Sequence, residues 1–151
     1  MQNTASPAPA GARPLGIALV AAAAFIVLFW IIWFINRNIL AVAHTDTYYA
    51  WAYSFPLADM WLCLSVAVAG VLLIRGNPTA IYWQFLAGGT GVYLGLLGLL
   101  FDLENGIYVG RGGTGAAQIG IEIAVVVFTL ALSGFGLWWA WRNRGWAATA
   151  T

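Results

Sequence analysis

The sequence predicts an all-α polytopic membrane protein, folded as a four-transmembrane-helix antiparallel bundle. Three observations predict it. Hydrophobic residues make up 62% of the 151-residue chain, and they gather in runs long enough to cross a bilayer core. Charged residues are only 7%, against about 25% in a soluble domain, so too few polar groups exist to cover a water-facing surface. The apolar runs are joined by short segments carrying Pro, Asn and Gly, which suits antiparallel neighbours.

Residues 1–14 are rich in Ala and Pro, with Arg13 the single charge, and read as a disordered N-terminal tail. The first helix is expected over 15–35, an uncharged run of about 31 Å at roughly 1.5 Å per residue. Trp30 and Trp33 lie near its far end, where amphipathic rings favour a membrane interface. Ala41-Val42-Ala43 resembles a secretory cleavage site, but the run before it is too long and bulky for a cleaved leader. Asn36-Arg37-Asn38 ends this helix. The segment from Ala43 to Phe55 then carries His44, Asp46, Tyr48, Tyr49, Trp51 and Tyr53. Thr45 to Thr47 can cap a short interfacial helix there, whose aromatics form either an interface belt or a lid over a pocket.

Pro56 suits the first position of a second helix, 56–74, with Asp59 one turn inside. Arg75-Gly76-Asn77-Pro78 is a tight turn, with Asn77 as N-cap and Pro78 opening a third helix, 78–104. Asn105-Gly106 suits a left-handed C-cap. Gly110-Arg111-Gly112-Gly113 follows no strand and lacks the P-loop lysine, so it is not a phosphate loop of that type. Thr114 can cap a fourth helix, 115–141, whose end carries Trp138, Trp139 and Trp141. Residues 15–141 thus make a single membrane domain, and 142–151 a short C-terminal tail.

Arg13, Arg75, Arg142 and Arg144 fall at one end of this topology, and Arg37 and Arg111 at the other, which predicts cytoplasmic termini. Lysine is absent while Ala and Gly abound, a composition that points to a GC-rich bacterial genome and hence a bacterial plasma (inner) membrane.

All five acids and His44 gather at the outer end. On the third helix Gln84, Gly88, Gly91, Gly95, Gly98 and Asp102 share one face at helical spacing. Such glycines permit close helix packing, or leave a cavity where side chains are missing. On the fourth, Gln118, Glu122, Val125, Thr129, Ser133 and Gly136 form a matching stripe. A carboxylate at the depth of Glu122 is expensive in a membrane, so it is the most informative acid.

These residues predict an outward-facing acidic and aromatic pocket. Glu122, Asp59, Asp102, Glu104, Gln118, Arg37, His44, Tyr49, Trp51 and Tyr108 are its candidate residues, with Arg37 balancing charge. It would bind a small molecule, a lipid headgroup or a cation. Two other functions compete. One is a non-catalytic accessory or assembly subunit whose Gly88, Gly91, Gly95 and Gly98 pack on a partner helix. The other is a small membrane enzyme using a buried carboxylate for proton transfer. Partners are the lipid bilayer and a second copy of the chain or a membrane-complex subunit, with no face fixed for a homo-oligomer.

Net charge of +1 gives no footprint for nucleic acid. The single Cys63 excludes an intramolecular disulfide and a Cys-x-x-Cys pair. His44 with Asp46 is too sparse for a metal site, and no cofactor motif is present. Small multidrug transporters also have four helices, but their essential Glu lies in the first, which carries no acid here.

Overall fold

The computed structural model describes residues 7–148, and among these the secondary structure is helical throughout, with no strand. The helices are α1 (Ala12–Asn36), α2 (Asp46–Ala52), α3 (Pro56–Ile74), α4 (Ala80–Asn105), α5 (Ala116–Arg142) and α6 (Arg144–Ala147). Four segments are long and apolar enough to cross a membrane: Ala12–Ile39, Asp46–Ile74, Ala80–Asn105 and Ala116–Arg142. The protein is therefore a small multi-pass membrane protein of four-helix type.

The helices pack in chain order. α1 lies along α3, α3 against α4, and α4 against α5, with α6 touching both α4 and α5. Outward faces are apolar: Phe25, Leu28 and Phe34 on α1, and Ile121, Val127 and Phe128 on α5, are all exposed. In lipid these need no protein partner.

Small residues set the closest approaches. Gly16 of α1 and Gly70 of α3 face one another backbone to backbone. A Cβ added at Gly16 would lie 2.7 Å from the Gly70 carbonyl oxygen, and one at Gly70 2.8 Å from the Gly16 oxygen. The glycine face of α4 serves the same purpose against α5. A Cβ at Gly88 would meet Leu137 at 2.6 Å, and one at Gly95 would meet Leu130 at 2.8 Å. Gly91 admits Ser133, and Gly136 of α5 admits Gln84 of α4. Both stripes read from the sequence thus meet each other inside the chain.

Local signals behave as their chemistry dictates. The Thr45 hydroxyl oxygen accepts from the Tyr48 amide at 3.2 Å and starts α2. Pro56 opens α3. Gly106, at φ 65°, closes α4 in the left-handed conformation that glycine tolerates. Asn77 accepts from the Thr79 amide at 2.9 Å, but the helix proper begins at Ala80.

Other expectations are corrected. The N-terminal tail is ordered before residue 15. α1 begins at Ala12, and the Trp139 indole donates to the Ala10 carbonyl at 3.2 Å; the expected disorder of residues 1–6 lies outside the described residues. Within the short C-terminal tail, to which the sequence assigns no structure, α6 forms, with Trp146 and Ala147 buried. Thr114 does not cap α5: its hydroxyl donates to the Arg111 carbonyl at 2.9 Å, and Gly115 stands at the N-cap. Trp30 and Trp33 are not belt residues. They are 5% and 2% exposed, inside a cluster with Tyr48 and Ala41-Val42-Ala43.

Candidate functional site

α4 ends one turn after Asp102, and α5 enters beside that turn. Asp102 is 1% exposed. Its Oδ2 accepts a 2.9 Å hydrogen bond from the Tyr108 hydroxyl, which the 3₁₀ turn Ile107–Val109 folds back over the helix end. Across the helix pair, the Glu122 carboxyl of α5 interacts side chain to side chain with Asp102. Among the described residues, no arginine forms an ion pair or hydrogen bond with either carboxyl. Gly98, buried one turn below Asp102, has open space where a Cβ would stand. The arrangement is a carboxyl pair at a helix–helix seam, held from above by a phenol and with room beneath.

The sequence places Gln118 level with Asp102 and Glu122 a turn deeper. The structure brings Glu122 to Asp102 instead. Two successive 3₁₀ turns, Ile107–Val109 and Arg111–Gly113, absorb the connection and so set where α5 enters. Gln118 is exposed and folds back over Gly115 at the start of α5.

Tyr108 lies outside the spanning helices. Burial, aided by the neighbouring Asp102 carboxylate, pushes its hydroxyl above the ordinary tyrosine value. The raised value means that the Tyr108 contribution to stability is complete below the ordinary value of about 10 and is lost as pH climbs through the folded one. An alkaline phenolate titration should lose one tyrosine's worth of amplitude above the ordinary range in Tyr108→Phe. Superimposable titrations of the two proteins would contradict the Tyr108–Asp102 hydrogen bond.

The other expected site residues fall elsewhere. Asp59 is at the α1–α3 seam, where its Oδ2 accepts from the Trp30 indole at 3.0 Å, so it ties two helices together apart from the carboxyl pair. Arg37 does not balance the acids. Its guanidinium lies 4.1 Å from the centre of the Tyr49 ring and donates to the Tyr53 hydroxyl at 3.3 Å. His44 Nδ1 is 2.8 Å from the Tyr49 hydroxyl, which also donates to Asn38 at 3.1 Å. Glu104 is exposed. Trp51 stacks on Phe101, centroids 3.9 Å apart at 13°, so α2 is pinned to the last turns of α4. Tyr48 is buried beneath, its hydroxyl accepting from the Val42 amide at 3.3 Å. Among the described residues, no group of three or more His, Cys, Asp and Glu could hold a metal ion.

A cavity of about 190 Å³ opens between the 43–48 segment and the end of α4, lined by Thr45, Thr47, Tyr48, Phe101, Asn105 and Arg111 among others. It adjoins the carboxyl pair in sequence, through Phe101 and Ile107, but neither carboxyl lines it. Sequence reasoning missed most of this lining. The threonines read as caps and Arg111 as a loop charge, and only the fold sets them around one space.

No protein-family model, no curated protein and no solved structure matches this chain.

Proposed function

We propose that this membrane protein binds a small cationic ligand at the Asp102–Glu122 pair, with Tyr108 holding Asp102 in place. One observation carries the reading: two carboxyl groups meet at a helix seam and, among the described residues, no arginine pairs with them. Like charges so placed cannot both remain ionised without a counter-charge, and a low-dielectric surrounding sharpens the conflict. A proton or an incoming cation resolves it, so the site exchanges one for the other. The open space at Gly98 offers room for a small group. Gly88, Gly91 and Gly95 are engaged by α5, so a partner helix would have to dock on another face.

Native mass spectrometry of the detergent-extracted protein should show a retained small molecule that Glu122→Gln releases. Titration with ethylammonium chloride, at ionic strength matched with choline chloride, should give saturable binding that Glu122→Gln or Asp102→Asn weakens at least about tenfold, or ~1.4 kcal/mol. Unchanged binding in both variants, or none in the parent, would sink this reading.

The orientation that fits is termini in the cytoplasm of a bacterium, with the site facing outward. Arg13, Arg75, Arg142 and Arg144 favour it over the reverse. A reporter that works only outside the cytoplasm should stay silent when fused at the C-terminus, and its activity there would reverse the orientation.

A further inference from the structure

We infer that the cavity between the 43–48 segment and the end of α4 is a second site, for a phosphate-bearing anion, separate from the carboxyl pair. Its volume is about 190 Å³, below the ~300 Å³ at which pockets take drug-sized ligands, so it suits a headgroup-sized one. Its lining contains one cation, Arg111, and no acid.

The build of Arg111 supports the assignment. Its stem crosses Gly106, where an added Cβ would meet both Cγ and Nε at 3.0 Å. Glycine at 106 therefore serves twice. It takes the left-handed conformation that ends α4, and it leaves the space through which the arginine runs. Arg37, Arg142 and Arg144 lie over aromatic rings, at 4.1, 5.6 and 4.3 Å. The Arg111 guanidinium has no ring and no acid as partner among the described residues, and it remains available to a ligand.

The remaining polar lining is rich in donors. Thr45 Oγ1 accepts from the Tyr48 amide, which leaves its O–H to donate. The Thr47 hydroxyl has no internal hydrogen bond among the described residues. Asn105 Nδ2 donates one hydrogen to the Phe101 carbonyl at 2.9 Å and keeps another. A guanidinium with hydroxyl and amide donors around it matches the several acceptor oxygens of a phosphate, and arginine can engage two of them at once. α4 ends here, beside the exposed residues of α2, so the cavity lies at one end of the helix bundle, where either a lipid headgroup or a free anion can reach it. The phosphate could belong to a lipid or be free in solution.

The intact protein in a neutral detergent separates these sources. Its thermal unfolding is followed against dihexanoyl phosphatidic acid and against inorganic phosphate, with chloride matching ionic strength. Saturable stabilisation by the lipid alone assigns the site to a headgroup. Equal or stronger stabilisation by inorganic phosphate assigns it to the free anion. In either case Arg111→Gln should weaken binding at least about tenfold and Thr47→Val about threefold, with the parent unfolding temperature retained for Thr47→Val without ligand. Stabilisation by neither probe, an equal effect of chloride, or binding unchanged in both variants overturns the inference.

Discussion

Gly70→Leu should yield no folded protein, because α1 can no longer seat on α3. The obstacle is backbone: a Cβ at Gly70 would stand 2.8 Å from the Gly16 carbonyl oxygen and 2.9 Å from Val20 Cγ2. A side-chain clash can be relieved by a rotamer change, but this one requires the two helices to part. Gly70→Ala, the smallest such change, should lose about 1–3 kcal/mol through overpacking. The α1–α3 seam also carries the Asp59–Trp30 hydrogen bond and a Cys63–Ala23 contact at 3.5 Å, and separation would loosen both. Gly89→Ala is the matched comparison. Nothing lies within 4 Å of its added Cβ, and alanine favours the helix by up to about 1 kcal/mol. Helical content against denaturant, measured in one detergent, checks the series. A Gly70→Ala protein as stable as Gly89→Ala would remove the close backbone contact from the account of the fold.

The second large effect is at Trp33. Its ring is 2% exposed and has Trp30, Phe29, Tyr48, Tyr49 and Tyr53 around it at centroid distances of 6.0 to 6.4 Å. Trp33→Ala removes the ring that joins the end of α1 to α2, and should cost about 3–5 kcal/mol. Because α2 supplies Tyr48 and Trp51 to the end of α4, the variant should also loosen the roof of the anion cavity. Trp33→Phe should behave quite differently. The Trp33 indole N–H is buried and has no hydrogen-bond partner among the described residues. Phenylalanine keeps most of the ring packing and removes that unsatisfied donor, so the net change should stay within about 1 kcal/mol. Unfolding midpoints of the two variants decide the matter, and equal, large losses for both would mean that the N–H has a partner after all.

Much of the fold was legible because the signals were local. Run length and charge scarcity announce spanning helices, and Thr45, Pro56 and Gly106 mark boundaries through hydrogen bonds or dihedral angles that depend on adjacent residues alone. The α4 and α5 stripes were also legible, since a repeat of small or polar residues on an apolar helix leaves a periodic trace. Gly16 was not, because a single glycine in an apolar run has no period to betray it. Trp30 and Trp33 were misread for a related reason: their position near a helix end suits an interface, and only the folding back of the 41–53 segment encloses them.

The site was legible only in part. Glu122 stood out because a carboxylate on a spanning helix demands a reason, and Asp102 because it ends the glycine face. The sequence grouped both with Tyr108 in one pocket, but their direct contacts, and the removal of Asp59 and Arg37 to other partners, were not readable. They depend on how the 3₁₀ turns after Gly106 set α5 against α4, and on which aromatic rings reach Arg37 first. The sequence alone determined the class of the protein, the number of its spans and the gathering of its acids at one end, because composition and chain order suffice for these. Tertiary structure decided which acids pair, which arginine is left for a ligand and where a cavity opens. In lipid most helix faces are apolar, so hydrophobicity does not choose neighbours, and close packing at a few small residues does.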